Sequence, residues 1–177
     1  MNKYILTFVI LLLDHIHQNI FSSKNKFINY NPHKINDNFL RILPDFTRKI
    51  NMSILNNYAL LTGISVYVLL VDDVLQRAFI ISRTIRIIAI YLVQFPNPND
   101  KAYIERLRVH DLIVSGHTIN WNLIYIYIYN NFNYKISSSC LIILALYYIY
   151  IIKHKHHYSI DVFFGLYVSY TSYLICK

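Results

Sequence analysis

Long apolar runs alternate with shorter polar breaks along most of the chain. Runs near twenty residues cover Ile54–Val71, Ala78–Phe95, Leu112–Tyr129, Ile136–Ile152 and Tyr158–Cys176, the length a helix needs to cross a hydrocarbon layer. Ile136–Ile152 has no formal charge and Tyr158–Cys176 has only Asp161. A soluble bundle would need a polar face on such helices, so they are assigned to lipid. A further candidate span comes first. Tyr4–Leu13, after Lys3, is too short to cross alone, and extending it to Phe21 takes in Asp14, His15 and His17. The same basic start and short apolar core would suit a secretory signal or an interfacial segment, but no small-x-small cleavage site follows, so a retained first helix is expected.

The polar breaks are Ser22–Asn51, rich in Asn and Lys, and the shorter Asp72–Arg77, Pro96–Asp111, Asn130–Lys135 and Lys153–His157. Short connections force antiparallel neighbours. The predicted fold is therefore all-α, a polytopic transmembrane helix bundle of about six spans, or about five if the first does not cross. Residues 1–177 form one membrane domain, with 1–21 as the candidate first span, 22–51 as a polar loop and 52–177 as the helix bundle.

Composition sharpens this picture in four places. The chain is 55% hydrophobic with 3 Gly and 4 Pro, which suits a compact helical bundle. Its 17 tyrosines follow the same bias as its Ile, Asn and Lys, and many stand where interfacial aromatics belong. The net charge of +8 is spread over loops between apolar segments, so an anionic lipid surface or phosphate headgroup is the expected partner and nucleic acid is not. Cys140 and Cys176 lie in apolar stretches without C-x-x-C spacing, which argues against a disulfide framework and against zinc.

Counting span ends places the loops holding Pro44–Asp45, preceding Leu112 and preceding Tyr158 on one side of the membrane. Two polar motifs then face each other. In Asp111-Leu-Ile-Val-Ser-Gly-His-Thr118, Ser115 is a candidate helix cap and Gly116 lets backbone N–H groups approach an anion, with His117 projecting beside them. In His157-Tyr-Ser-Ile-Asp161, the i,i+4 spacing puts both ionisable side chains on one helix face. Asp161 accepts from one imidazole nitrogen and leaves the other to attack. With His117 as a second imidazole, one histidine attacks phosphorus and the other protonates the leaving oxygen. A carboxylate inside a span is costly and marks function. The competing reading of His154, His156 and His157 as a metal tract lacks a further carboxylate-plus-His set, so neither metal nor cofactor is expected.

These motifs resemble those of sphingomyelin synthases and related ceramide phosphotransferases, within the type-2 phosphatidic acid phosphatase superfamily and its C-terminal-type domain. Leu43-Pro44-Asp45 is similar to a further element of that family, and Arg86 followed by Phe95-Pro96-Asn97-Pro98 is similar to its Arg-then-Leu-Pro-x-Pro pattern. The resemblance runs in order from Leu43 to the C-terminus. It implies His157 as nucleophile, Asp161 as its orienter and His117 as the second catalytic histidine. It also implies substrate contacts from Asp111, Ser115, Gly116, Arg86 and Tyr158. Asp111 stands in Val109-His110-Asp111 where the family has Cys-Gly-Asp. The implied activity is transfer of a phosphocholine-type headgroup from a phosphatidylcholine-type donor to ceramide, releasing diacylglycerol. The implied setting is a multi-pass protein of Golgi, endoplasmic reticulum or plasma membrane.

Two rivals and one conflict complete the reading. Lipid phosphate phosphatases of the same superfamily use a Lys-x6-Arg-Pro element and an arginine six residues before the nucleophilic histidine; the first does not occur, and Ile151 stands at the second position. Without those guanidinium forks a phosphodiester donor fits better than a monoester. A non-catalytic polytopic relative would lose its costly residues first, yet His117, His157 and Asp161 all stand. The conflict concerns orientation. Lys3, Arg77, Lys135 and Lys177 mark one side, while the motif-bearing loops hold most of the remaining Lys and Arg. The positive-inside rule turns the motifs to the cytoplasm, and the resemblance implies a lumenal or exoplasmic site. The latter is preferred, because basic loops around an anionic substrate have a local reason to be there.

Overall fold

In the computed structural model, residues 58–92, 114–154 and 157–177 are described, together with residues 5–10, 12, 13, 16 and 37. Asp14, His15, His17, Leu43-Pro44-Asp45, Phe95–Pro98, Val109-His110-Asp111, Lys155 and His156 lie outside the described residues. From residue 58 on, the described residues form helices α1 (Tyr58–Val71), α2 (Asp73–Leu92), α3 (Gly116–Asn131), α4 (Tyr134–Lys153) and α5 (Ser159–Cys176). Every element among the described residues is helical, and the protein is an all-α membrane helix bundle.

The helix boundaries come from capping side chains. Asp72 was expected to open a loop running to Arg77. Instead its Oδ1 accepts from the N–H groups of Val74 and Leu75, both at 3.0 Å, and α2 begins one residue later. A short acid supplying the orphan N–H groups of a first turn lets two helices share a one-residue junction. The span expected from Leu112 starts as a helix only at Gly116, because Ser115 takes the extended conformation of an N-cap (φ −65°, ψ 114°). Asn133 caps α4 in the same way, its side chain accepting from the Ile136 N–H, so the break after α3 shrinks to Phe132 and Asn133.

Helix α5 lies against α2 and α3, and α3 also touches α1, α2 and α4, so α3 is the central helix of those described. Leu61, Phe79, Ile119, Tyr147, Ile151 and Val162 contribute to one core shared by α1 to α5. Residues 5–10 are helical and join this packing: Thr7 and Ile10 are buried, and Gln76 Nε2 donates to Thr7 Oγ1 at 3.0 Å.

Helices α4 and α5 are long and apolar enough to cross a membrane. Only 28% and 39% of their apolar windows are buried inside the protein, whereas a core helix of a soluble protein would be mostly covered. Leu141, Ile142 and Ile143 of α4 and Phe163, Phe164 and Tyr167 of α5 face outward. An apolar surface of that extent belongs in lipid.

Candidate active site

The two motifs meet where α3 and α5 begin. Ser115 is fully buried and meets three partners through its N–H and its hydroxyl. Its N–H donates to the Asp161 carbonyl at 3.1 Å, its Oγ accepts from the Thr118 N–H at 3.2 Å, and the same Oγ lies 3.3 Å from His157 Nε2. A serine cap thus ties the start of α3 to the start of α5.

His157 precedes α5, and its N–H reaches the Ile151 carbonyl at 3.3 Å, which returns the chain from α4. Its Nδ1 is 3.6 Å from Asp161 Oδ2, an ion-pair distance rather than a hydrogen bond. Asp161 is fully buried, and its Oδ2 also accepts from the Tyr158 N–H at 2.9 Å. The carboxylate therefore caps the helix and faces the imidazole together. His157 is consequently held between an acid on one nitrogen and a hydroxyl on the other. The ring of His117, 8% exposed, stands with its centroid 6.1 Å from that of His157 at an interplanar angle of 65°.

Two further features carry the geometry, and neither has a local sequence signal. Gly165, one turn after Asp161, lies where an added Cβ would sit 2.8 Å from Thr118 Cβ and 3.0 Å from the Ser115 carbonyl oxygen. Only glycine lets α5 approach the start of α3 this closely. Asp37, from the polar stretch, places both carboxylate oxygens on Ser159: Oδ2 accepts from its N–H at 2.6 Å and Oδ1 from its hydroxyl at 2.8 Å.

Guanidinium groups arrive from α2. Arg86 is buried, and its Nε donates to the Val114 carbonyl at 2.9 Å. An arginine within a span ordinarily snorkels to the interface or pairs with an acid, here Asp72 or Asp73. Burial rules out the first, and the rise along α2 separates Arg86 from either acid by about 20 Å. Arg83, one turn earlier and also buried, donates through Nη2 to Asn120 Oδ1 and to the Gly116 carbonyl. A Cβ at Gly116 would lie 2.9 Å from Arg83 Nη1 and 3.3 Å from Arg86 Nε. The expected role of Gly116 was to open the backbone to an anion. What its missing side chain admits in the structure is a pair of guanidinium groups.

Arg83 and Arg86 thus bring two guanidinium groups from α2 to the start of α3. Two buried cations at the positive end of α3 set up a field that favours an anion there. Capping alone explains Ser115 and Asp161. It does not require two imidazoles and two buried guanidinium groups at the same place.

Tyr158 is buried and acts through its backbone as the cap residue of α5. The histidine tract diverges: His154 caps α4 and packs on Tyr150 at 4.2 Å between ring centroids, while His157 turns to Ser115. Among the described residues no three His, Cys, Asp or Glu side chains converge as metal ligands. Cys140 and Cys176 are free thiols, both half-buried.

Residues 110–177 match the family model described as PAP2 superfamily C-terminal. The match takes in α3, α4 and α5, with both motifs, and covers less than half of the chain. It supports the type-2 phosphatidic acid phosphatase part of the resemblance and does not extend to the sphingomyelin synthase branch. No curated protein and no solved structure matches the chain.

Proposed function

We propose that this chain is a membrane lipid phosphotransferase that moves a phosphocholine-type headgroup from a glycerophospholipid to ceramide through a histidine nucleophile. The observation that carries the reading is His157 set between Asp161 and Ser115 with His117 beside it, inside a stretch that matches a lipid phosphatase and phosphotransferase superfamily. In this reading the whole chain acts as one membrane domain.

The chemistry follows in two displacements. Asp161 holds a proton on His157 Nδ1, which leaves the Nε2 lone pair to attack phosphorus. The bond from phosphorus to the diacylglycerol oxygen breaks, and His117 gives that oxygen a proton. A ceramide hydroxyl then loses its proton to His117 and attacks the phosphohistidine, breaking the P–N bond and regenerating His157. Apo catalytic contacts are often loose and tighten around substrate, which suits the 3.6 Å separation of Nδ1 and Oδ2. Ser115, Arg83 and Arg86 are placed to stabilise charge on the phosphoryl oxygens. Lipid around the bundle keeps competing water scarce.

Arg83 and Arg86 also favour a second reading, a lipid phosphate phosphatase, because two guanidinium groups suit a dianionic monoester. Purified protein in vesicles of phosphatidylcholine with labelled ceramide distinguishes the two. Headgroup transfer predicts a labelled ceramide phosphodiester that disappears in His157→Ala. Free phosphate released from phosphatidic acid, with no ceramide product, would establish the phosphatase instead.

A further inference from the structure

The hydroxyl of Ser115 is used twice. It accepts from the Thr118 N–H at 3.2 Å, and His157 Nε2 stands 3.3 Å from the same oxygen. With the Thr118 donor on one lone pair, the O–H is left to donate to that nitrogen, which places the ring proton on Nδ1. Nδ1 faces Asp161 Oδ2 at 3.6 Å, and that carboxylate oxygen accepts in turn from the Tyr158 N–H at 2.9 Å. A hydroxyl, an imidazole and a buried carboxylate thus follow one another in the order of a serine nucleophile, its base and the orienter of that base.

Capping needs no such relay. A cap hydroxyl has only to accept from the first turn, and any nearby acceptor can take its proton. Ser115 directs that proton to an imidazole that an acid already orients. Its place in the chain adds a second match. Ser115 stands immediately before α3, so the Gly116 N–H is the first of the helix and has no acceptor within it. The N–H of the residue after the nucleophile, at the start of a helix, is a position from which serine hydrolases hold the oxyanion. Such a constellation is recognised by its geometry and recurs on unrelated folds.

We infer that Ser115 is the nucleophile of a second activity, acyl transfer from the carboxylic ester of a membrane lipid, with His157 as its base and Asp161 as the orienter. Nε2 takes the Ser115 proton as Oγ bonds to the carbonyl carbon. The bond from that carbon to the ester oxygen then breaks, and the departing alcohol takes the proton from Nε2. Water or a lipid hydroxyl next gives its proton to Nε2 and attacks the acyl-serine. The bond from carbon to Oγ breaks, and Oγ recovers the proton. The activity goes beyond headgroup transfer, in which the same nitrogen attacks phosphorus directly. Ser115 is fully buried beside a His157 side chain that is 12% exposed, so acylation waits on opening of this contact and is expected to be slow.

The test treats the full chain, purified and reconstituted in vesicles, with a fluorophosphonate carrying a long alkyl chain, a reagent that phosphonylates a serine whose base takes its proton. The expected result is an acid-stable label mapped to Ser115, absent from Ser115→Gly and formed about 10⁴-fold more slowly in His157→Ala, the scale of a damaged triad. Glycine serves an N-cap almost as well as serine, so Ser115→Gly removes the hydroxyl and keeps the fold. Release of the acyl group from a glycerophospholipid labelled in its fatty acid should follow the same order of variants. The product is a free acid when water is the acceptor and a new ester when a lipid alcohol is supplied.

A wild type that takes no label, or acyl release in Ser115→Gly at the wild-type rate, would overturn the inference. An acid-labile label on His157 would overturn it as well and leave the histidine nucleophile of headgroup transfer standing. An acid-stable label on Ser115, in a protein that forms no ceramide phosphodiester, would retain the acyl-transfer role and reject headgroup transfer instead.

Discussion

Helices α4 and α5 have nearly the same length and apolar character, but α4 buries almost only apolar side chains and α5 a mixed face of small, polar and apolar ones. Helix α4 turns Leu144, Tyr147, Tyr150, Ile151 and Ile152 inward, with Ser137 near its start as the polar member. Helix α5 turns Ser159, Asp161, Gly165, Ser169 and Ser172 inward beside Val162, Val168 and Tyr173, and leaves Phe163, Phe164, Tyr167 and Tyr170 outside. Positions 161, 165, 169 and 172 share one face at helical spacing.

Lipid offers no partners to polar groups, so that face must be covered by protein. Helices α2 and α3 cover it. Asn122 Nδ2 donates to Ser169 Oγ at 2.7 Å, and Asn130 Nδ2 to Tyr173 OH at 3.0 Å, continuing along α3 the seam that begins at Ser115. Hydropathy finds both spans. The identity of the buried face tells the packing helix from the one that carries the candidate site.

The sharpest way to break this contrast is Asp161→Asn. The amide still accepts from the Tyr158 N–H, so the fold should survive, while transfer falls roughly 10³–10⁴-fold through loss of the imidazole tautomer and of imidazolium stabilisation. Unchanged melting with collapsed turnover would support the contrast; retained turnover would remove Asp161 from the site.

Gly165→Ala comes next. The added methyl meets Thr118 and the Ser115 carbonyl, so α3 shifts against α5. Turnover should drop about 100-fold, the effect of displacing reacting groups by about an ångström, with about 1–3 kcal/mol of lost stability. Full activity would mean that the close approach of the helices does not set the motif geometry.

Arg83→Lys should slow transfer about tenfold by replacing a planar fork with a point charge. Steady-state kinetics check it, and an unchanged rate would leave Arg83 as a link to Asn120 and nothing more.

The smallest kinetic effect belongs to α4. Tyr147 is fully buried, with its ring edge-on to Trp121 at 6.2 Å. Tyr147→Leu should cost about 1–3 kcal/mol of stability and leave turnover per folded molecule within about twofold, as for packing changes remote from a site. A large kinetic loss there would erase the distinction between the two helices.

The parts of this site that were legible in sequence are those whose partners are close in sequence. Ser115 as a cap follows from a three-residue spacing, whereas His157 and Asp161 meet although His157 stands ahead of the Tyr158 cap of α5 and so not on a helix face as the four-residue spacing suggested. The meeting of the two motifs follows from span order. The rest depends on partners far along the chain. Gly165 reads as an ordinary helical glycine until Thr118 is placed beneath it, and Asp37 as one more polar loop residue until it reaches Ser159, 122 positions away. Arg83 lies three residues before an arginine that the family pattern singled out, and only burial and the bond to Asn120 distinguish it. The boundary at Asp72 was misplaced because an apolar run marks where a helix enters lipid, whereas the cap marks where its hydrogen bonding starts.

The nucleophile is the central claim, and a trapping experiment tests it most directly. Wild-type protein is incubated with phosphatidylcholine labelled in the phosphocholine group, without ceramide, and quenched under alkaline conditions. The account predicts label bound to the protein as an acid-labile phosphohistidine, mapped to His157, discharged when ceramide is added, and absent from His157→Ala. Label on His157→Ala at the wild-type level, or ceramide product formed without any dependence on His157, would contradict it.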